Sequence, residues 1–379
     1  MRICPQQFRV LIDFIAPPLL AAALLATPPG AVAGTDLRIV AQDGSVMSAR
    51  SMDFGTPLAS RIATVARGTS FRSAAPAGAN GAAWTGKYGF VYLDGFELDT
   101  ALDGLNEAGL GVAAMFLPGV TRYPDEPQDA TLPALSNLRV GQWLLSQFDS
   151  VDQVKEALRG VTVYGEKADS LGDWPLPLHF AVHDARGRSL VLEWADGALQ
   201  IYDNSIGVLT NVPAFDWHLI NLRRFGKRSP LATRPVQIGR LTYATSGEGS
   251  ILAGLPGDPS SPSRFLATAT ALDLSERPRD AIEAIMLAQK LINRVDIPRG
   301  LVRVFTMDNR DGDYTQWSSF RDHTNLKFFW RSYEDQTLRE LNLKNLDLSE
   351  GAPMRRTSIA VKAPSAISVK SENIPVVRE

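Results

Sequence analysis

Four short segments stand out because their charged and amide side chains could together form an active site. In chain order they are Ala49-Arg50-Ser51-Met52-Asp53, Asp103-Gly104-Leu105-Asn106-Glu107-Ala108-Gly109-Leu110, Gly207-Val208-Leu209-Thr210-Asn211-Val212-Pro213-Ala214-Phe215-Asp216-Trp217, and Gly254-Leu255-Pro256-Gly257-Asp258 followed by Ser263-Arg264-Phe265. Taken singly, each has an ordinary explanation: a turn, a hairpin tip, or an exposed ion pair that contributes little energy. Only their order and spacing therefore point to chemistry.

The histidines do not indicate a metal site. The chain has four of them and no pair of cysteines. His179 and His183 are four residues apart, but they lie in an alternating run typical of a strand, where this spacing does not make a helical ligand pair. We interpret both as half-buried strand residues and expect no bound metal.

In this order and at this spacing, the four segments resemble those of the choloylglycine hydrolase family, which includes bile-salt hydrolases and penicillin V acylases. The resemblance covers roughly residues 35–329, and the segments around Asn211 and Arg264 are the most specific. It implies the fold of the N-terminal-nucleophile (Ntn) hydrolases, an α+β sandwich of four layers (αββα) with two antiparallel sheets. It also implies hydrolysis of a small acyl amide without a cofactor, and assembly as a homotetramer. Family substrates are bile salts, penicillin V and N-acyl homoserine lactones.

The resemblance implies a role for each matching residue. The family's nucleophile is a cysteine at the mature N-terminus, whose own α-amine, with an ordinary pKa of about 8, acts as the base. Arg50 matches the arginine that stabilises the charged nucleophile, and Asp53 matches the aspartate that orients the amine. Asn211 matches the amide donor of the oxyanion site. Arg264 matches a second arginine of the site.

Two aromatic residues are candidates for substrate binding. Phe116, in Ala114-Met115-Phe116-Leu117-Pro118, stands where bile-salt hydrolases commonly have an asparagine. A phenylalanine there favours an acylase-like substrate, and its side chain has no hydrogen to donate to an oxyanion. Trp84 lies in a second aromatic region and could contact an acyl or aryl group. Packing in the core is the alternative for both residues.

The first 33 residues are typical of a secretory signal peptide. Two arginines, an apolar stretch over residues 10–25, a Pro-Pro-Gly break and the triplet Ala31-Val32-Ala33 follow one another in the expected order. Asp13 and two prolines interrupt the apolar stretch, so stable insertion into a membrane is not expected. We predict cleavage after Ala33 and a periplasmic or secreted protein.

The family's cysteine is missing from its expected place. Counting back from Arg50 without a gap places the nucleophile at Gly34, and the predicted cleavage independently makes Gly34 the first mature residue. The only cysteine of the chain, Cys4, lies in the predicted signal peptide. Glycine would supply the amine base but no group that attacks.

Three interpretations of Gly34 stay open. Thr35 could act as the nucleophile after one further residue is trimmed. However, neighbouring strand residues point to opposite faces, so Thr35 would need a bulge or a slip to reach the Gly34 side. Alternatively, the chain is an inactive relative that binds acyl amides without turnover. In the third interpretation, Gly34 is an engineered or erroneous substitution in an active enzyme.

Composition and pattern define the scaffold that must position these residues. With 379 residues and a net charge of −2, the chain has no basic field that would hold nucleic acid. We predict one domain over residues 34–350 and a loose tail over 351–379. A binding protein with two α/β lobes is the competing class, but it needs βαβ alternation, which the meander near residues 179–202 lacks.

Blocks of strands and helices favour a layered α+β fold. The strands are predicted at 37–40, 46–52, 88–93, 109–117, 179–184, 190–194, 199–202, 301–307 and 327–330. One helix is predicted over 138–145, and a second over 154–158 after a capping box that begins at Ser150. A third follows Pro278, with Ala281, Ile285, Ala288 and Ile292 on its apolar face.

Overall fold

The computed structural model describes residues 34–360, apart from 130, 169–173, 224–228, 230, 232–234, 244–248, 250–251 and 304–311. The predicted signal peptide and residues 361–379 of the predicted tail lie outside the described residues. None of the helices formed by the described residues is long and apolar enough to cross a membrane.

The described residues form 22 strands and five α-helices. The strands are β1 (Gly34–Val40), β2 (Val46–Phe54), β3 (Arg61–Val65), β4 (Ser70–Arg72), β5 (Ala83–Thr85), β6 (Phe90–Gly95), β7 (Leu98–Asn106), β8 (Gly111–Phe116), β9 (Ala134–Ser136), β10 (Thr162–Tyr164), β11 (Lys167–Ala168), β12 (Trp174–Pro175), β13 (Leu178–His183), β14 (Ser189–Ala195), β15 (Ala198–Asp203), β16 (Val208–Leu209), β17 (Val236–Ile238), β18 (Leu241–Tyr243), β19 (Tyr314–Asp322), β20 (Lys327–Ser332), β21 (Arg339–Asn342) and β22 (Arg355–Ser358). The helices are α1 (Val140–Gln147), α2 (Val151–Ala157), α3 (Phe215–Leu222), α4 (Ser261–Leu274) and α5 (Ala281–Asn293).

Two large antiparallel sheets form the centre of the fold. Over the described residues, the first has six strands in the order β16-β1-β2-β19-β20-β21, and the second has eight in the order β15-β14-β13-β8-β7-β6-β3-β22. Helices α4 and α5 pack against the first sheet, and α1 packs against the second. The sheets face each other, and the predicted αββα sandwich is confirmed.

Strand β2 carries polar residues although both of its faces are buried. Every residue of β2 is buried, because α5 covers one face of the first sheet and the second sheet covers the other. Buried polar side chains need hydrogen-bond partners. The polar residues of β2 therefore define which other side chains must come close to them.

The predicted helices form, but two of their details differ. Ser150 precedes α2 without a side-chain capping bond, so the predicted capping box is wrong, and Asp184 Oδ2 accepts from Val151 N (3.2 Å) instead. Helix α5 begins at Ala281 after Asp280, which caps it. Its buried residues are Ala284, Ala288, Leu291 and Ile292, so the predicted apolar face is rotated from the one that packs on the sheet.

Several strands were not predicted, and β7 and β19 are the longest of them. Polar residues interrupt the apolar pattern of both. Strand β7 carries Asp103 and Asn106 at buried positions, and β19 carries Arg321. The predicted strand at 301–307 is a turn where it is described, at 301–303, and its remainder lies outside the described residues. Strand β22 pairs with β3, so the predicted loose tail is wrong for Arg355–Ser358.

Candidate active site

Two side chains converge on the backbone of residue 34 at the start of β1. The Gly34 N–H donates to Asn211 Oδ1 (2.5 Å), and the Gly34 carbonyl accepts from Arg264 Nη1 (2.5 Å). Arg264 Nη2 donates to the same Asn211 oxygen (3.1 Å). Asn211 follows β16, and Arg264 lies in the first turn of α4. Three elements therefore meet at residue 34.

Arg50 lies on the side of β1 and β2 that faces the second sheet. It is the strand partner of Asp36, so it shares a face with residue 34, two positions earlier. Arg50 Nη1 donates to the Leu102 carbonyl (2.5 Å). Burial lowers the pKa of Arg50 to about 10, against the effect of the nearby Asp103, so the guanidinium stays charged at neutral pH. A side chain at residue 34 would point into this positive region.

The space beside Gly34 is nearly large enough for a Cβ atom. A Cβ added to Gly34 would lie 3.3 Å from Met115 Cε and 3.3 Å from the Ser51 carbonyl oxygen. The first neighbour is the flexible end of a side chain and the second is strand backbone, and each would have to shift by a few tenths of an ångström. Residue 34 therefore has tight but open space for a Cβ.

Asp53 lies on the opposite face of β2, toward α4. Its Oδ2 accepts from Ser51 Oγ (3.2 Å), which itself accepts from Thr35 N (3.1 Å). Asp53 Oδ1 accepts from Thr315 Oγ1 (2.6 Å). Burial raises the pKa of Asp53 to about 6, although the charge of Arg264 opposes the rise. The carboxyl is thus connected to the first residues of β1 through Ser51.

Thr35 occupies a regular strand position and does not reach the Gly34 side. It pairs with Ser51 without a bulge, and its Oγ1 accepts from Arg264 Nη1 (2.6 Å). The hydroxyl therefore faces α4, whereas a side chain at residue 34 would face the second sheet. Replacement of the missing nucleophile by Thr35 requires a change of register that the structure does not contain.

A cavity of about 430 Å³ adjoins the site on the α4 side. Its lining includes Asn211, Arg264, Asp313, Val212, Ile297 and Val302. Burial raises the pKa of Asp313 to about 7, the charge of Asp53 adds to the rise, and Arg264 opposes it. Sequence reasoning missed Asp313 because it lies outside the four segments. The one feature of the sequence that could have indicated Asp313 is its position directly before strand β19, and this strand was not predicted.

Phe116 contributes to the site through its backbone. Its carbonyl accepts from Asn211 Nδ2 (2.6 Å), while its buried ring packs edge-on against Phe54 (6.2 Å between centroids) and Trp174 (5.9 Å). The second aromatic candidate, Trp84, lies elsewhere. It stacks on Phe71 (5.2 Å), and its Nε1 donates to Ser146 Oγ in α1 (2.9 Å).

The contacts of Trp84 are therefore on the outer face of the second sheet, two layers from residue 34. This position does not support the predicted role of Trp84 in substrate binding. The prediction depended on a cluster of aromatic side chains in the sequence, which does not distinguish packing under a helix from a binding surface.

The histidines are fully buried, so the prediction of half-buried strand residues is wrong for His179 and His183. His183 Nε2 lies 2.5 Å from Asp36 Oδ1, and His179 Nδ1 lies 2.9 Å from Glu193 Oε1. Among the described residues, no group of three or more His, Cys, Asp or Glu side chains could hold a metal ion.

A comparison with family models identifies the group to which the chain is related. The model described as "Linear amide C-N hydrolases, choloylglycine hydrolase family" matches residues 34–356. The chain belongs to this family. The match spans both sheets and all four segments, so the resemblance that these segments indicate is confirmed.

Two bile salt hydrolases and a penicillin V acylase align with between 46% and 83% of the chain. The bile salt hydrolase/transferase of Clostridium perfringens is 31% identical over 266 residues, which are 67% of this chain and 76% of that protein. That of Bifidobacterium longum is 26% identical over 317 residues, 83% of this chain and 96% of the relative. The penicillin V acylase of Pectobacterium atrosepticum is 29% identical over 183 residues, 46% of this chain and 47% of the acylase.

Solved structures agree with the family assignment. The cysteine-to-alanine mutant of the conjugated bile acid hydrolase from Clostridium perfringens superimposes with a TM-score of 0.75 at 28% identity, over 86% of this chain and 97% of that one. The penicillin V acylase from Agrobacterium tumefaciens gives 0.69 at 25% identity, over 87% and 93%. The roles of Arg50, Asp53, Asn211 and Arg264 within this fold stay predictions, and the geometry brings all four around residue 34.

Proposed function

We propose that the site binds a small acyl amide and that residue 34 decides whether the amide is cleaved. With Gly34 the chain binds without turnover, and with cysteine at this position it becomes a hydrolase. The observation that carries this proposal is the geometry of residue 34. Asn211 and Arg264 hold its backbone, Arg50 lies on the side to which a side chain would point, and a Cβ fits there.

The chemistry of the Gly34→Cys variant follows from these positions. After cleavage behind Ala33, the nitrogen of residue 34 is a free amine beside Asn211 Oδ1. The amine takes the thiol proton, the sulfur attacks the amide carbonyl, and the proton passes to the leaving nitrogen as the C–N bond breaks. Water then hydrolyses the thioester. Asn211 Nδ2 uses one hydrogen for Phe116 O and keeps a second for the oxyanion.

With glycine at residue 34, the first step of this reaction, the attack of a thiol on the amide carbonyl, does not take place. Gly34 has the amine that acts as the base and the surrounding charges, but it has no side-chain thiol or hydroxyl to attack the carbonyl. The Thr35 hydroxyl lies on the opposite face and is engaged by Arg264. These two observations favour binding without turnover over a threonine nucleophile.

Export and an apolar acyl group complete the proposal. The basic, apolar and small-residue order of residues 1–33 supports cleavage at Ala33 and a periplasmic or secreted location. The buried rings of Phe54 and Phe116, with Trp174 beside them, supply apolar surface close to Asn211. This surface supports a substrate of the acylase type, with an aromatic or aliphatic acyl group.

The proposal is tested by comparing the unaltered chain with Gly34→Cys and Gly34→Ala. Mass spectrometry of the secreted proteins establishes the first residue. Calorimetry and product assays then use penicillin V, a conjugated bile salt and an N-acyl homoserine lactone. We expect all three proteins to bind one of these amides and only Gly34→Cys to cleave it. The alanine variant is the matched control, because it fills the Cβ position without a thiol.

Two outcomes would overturn the proposal. The first is turnover by a chain that begins at Gly34. The second is turnover by a chain that begins at Thr35 and is inactivated by Thr35→Ala, which would make Thr35 the nucleophile. If Gly34→Cys cleaves none of the three amides and the parent binds none, the substrate class is wrong.

A further inference from the structure

His218 lies directly behind the segment that carries Asn211. It is fully buried in the first turn of α3, and its Nε2 lies 2.9 Å from the backbone oxygen of Asn211. The ring stacks on Phe265 at 4.6 Å, with planes 15° apart. Phe265 is the neighbour of Arg264 in α4. One imidazole therefore contacts the elements that supply both side chains holding residue 34.

The hydrogen bond determines the tautomer of His218. A carbonyl oxygen only accepts, so Nε2 must carry the hydrogen and donate to Asn211 O. Burial lowers the pKa of His218 to about 4, which keeps the ring neutral at pH 7. Its Nδ1 is then a bare acceptor, and it has no hydrogen-bond partner within the described part of the chain. Thr210 Oγ1 also lies 3.4 Å from Nε2, so the ring is held through Nε2 and by stacking on Phe265.

A second buried contact holds the other end of the same segment. Both carboxylate oxygens of Glu193, in β14, accept from Phe215 N at the start of α3 (3.2 and 3.1 Å). His179 of β13 contacts Glu193 Oε1 from behind (2.9 Å). The loop from Asn211 to Phe215 is thus attached to the second sheet at one end and to α3 at the other.

We infer that His218, supported by Glu193, is a positioning residue that fixes the side-chain amide of Asn211 for amide recognition at residue 34. It touches neither residue 34 nor the cavity, and it acts through Asn211. Without the donor at His218, the Asn211 backbone can rotate, and Oδ1 and Nδ2 lose their positions toward Gly34 N and Phe116 O. This inference uses the proposed function only to interpret the kinetic experiment below.

The first experiment uses the unaltered chain labelled with ¹⁵N-asparagine. The side-chain amide signal of Asn211 is identified by its loss in Asn211→Asp. We expect His218→Phe, which keeps a stacking ring without a donor, to speed hydrogen exchange of this amide at least about tenfold, because its bond to Phe116 O opens more often. His218→Gln restores a donor and should recover most of the protection. Ile292→Val in α5 is a control for a modest loss of stability.

The second experiment repeats the substitutions in the Gly34→Cys background. We expect His218→Phe to lower kcat roughly 10- to 100-fold with KM within about threefold, because the oxyanion donor is misplaced while the acyl contacts persist. His218→Gln should recover most of kcat. A purely structural role predicts lower thermal stability with kcat per folded molecule unchanged, and this result would contradict the inference.

The two experiments separate the inference from the proposed function. If Gly34→Cys cleaves no amide, the proposed function fails, and the exchange of the Asn211 amide still decides the role of His218. An exchange rate that is the same in His218→Phe and in the unaltered chain would overturn the positioning role, whatever the activity.

Discussion

Asp53 and Asp313 lie near one buried guanidinium, that of Arg264, and burial raises the pKa of both carboxyls. The pKa of Asp53 rises to about 6 and that of Asp313 to about 7, from an ordinary value of 3.8. Between about pH 4 and pH 7 the unfolded chain therefore binds fewer protons at these residues than the folded chain does. Linkage then requires their contribution to stability to fall as the pH rises through that window.

Substitution of Asp313 by asparagine should reduce this fall. We expect the free energy of unfolding to decrease less between pH 5 and pH 8 in Asp313→Asn than in the parent, by about 1–3 kcal/mol. Urea unfolding at the two pH values measures the difference. Asp258→Asn is the matched control at the same cavity. Hydrogen bonds from Ser260 and Ser263 lower the pKa of Asp258, so this residue stays ionised across the window.

An equal decrease in the Asp313→Asn and parent proteins would show that Asp313 does not titrate in this range. If Asp313→Asn and Asp258→Asn both reduced the decrease in the free energy of unfolding equally, the effect would belong to the cavity as a whole. The direction of the change with pH is informative in either case, because a carboxylate stabilised by an ion pair would make the free energy of unfolding rise with pH.

Helix α5 packs on the outer face of the first sheet, and the side chain of Asp280 caps its first turn. Asp280 accepts from Glu283 N, which satisfies one of the free N–H groups at the start of the helix. Helix α2 begins after Ser150, whose side chain makes no capping bond. The two positions look alike in the sequence, since each is a polar residue three places before Glu or Gln.

Alanine substitution should separate these two positions. We expect Asp280→Ala to cost about 1 kcal/mol of stability, because it leaves the Glu283 amide without its partner. Ser150→Ala should cost less than about 0.5 kcal/mol by the capping mechanism. Urea midpoints of the two variants provide the measurement. Equal costs would mean that the capping bond of Asp280 contributes nothing beyond ordinary burial.

The two sheets are joined across their interface by buried charges. Arg321 of β19 donates to Asp36 of β1 (2.5 Å) and to Asp103 of β7 (3.2 Å). Asp103 also lies 3.9 Å from Arg50 Nη1. Burial raises the pKa of Asp103 to about 6 against the attraction of Arg321. The pKa of Asp36 is lowered, because His183 and Arg321 together outweigh its burial.

Removal of Arg321 should therefore destabilise the whole molecule. We expect Arg321→Met to cost about 3–5 kcal/mol at pH 7, since Asp36 and Asp103 lose their shared cation in a dry interface. Arg279→Met removes an exposed arginine that pairs with Glu283, and it should cost less than about 1 kcal/mol. Chemical unfolding at pH 7 compares the two. A similar small cost for both would mean that other groups or water neutralise the buried aspartates.

The sequence alone determined the layered fold class, the family and the identity of the residues that meet at residue 34. Hairpins such as β1–β2 and the β13–β14–β15 meander follow from alternation and turn residues, which are local properties. The spacing from Arg50 along β1 and β2 also predicts Gly34 as the position of the family's nucleophile. These features need no knowledge of what packs against what.

Only the tertiary structure decided which faces these residues occupy and what surrounds them. Arg50 and Asp53 are three positions apart on one strand and lie on opposite faces. Asp313 lines the cavity, and His218 contacts the backbone of Asn211, both from distant parts of the chain. Strands β7 and β19 escaped prediction because their buried polar residues look like loop residues until their partners across the sheet interface are known. Long-range burial and pairing decide such positions, and a local pattern does not contain them.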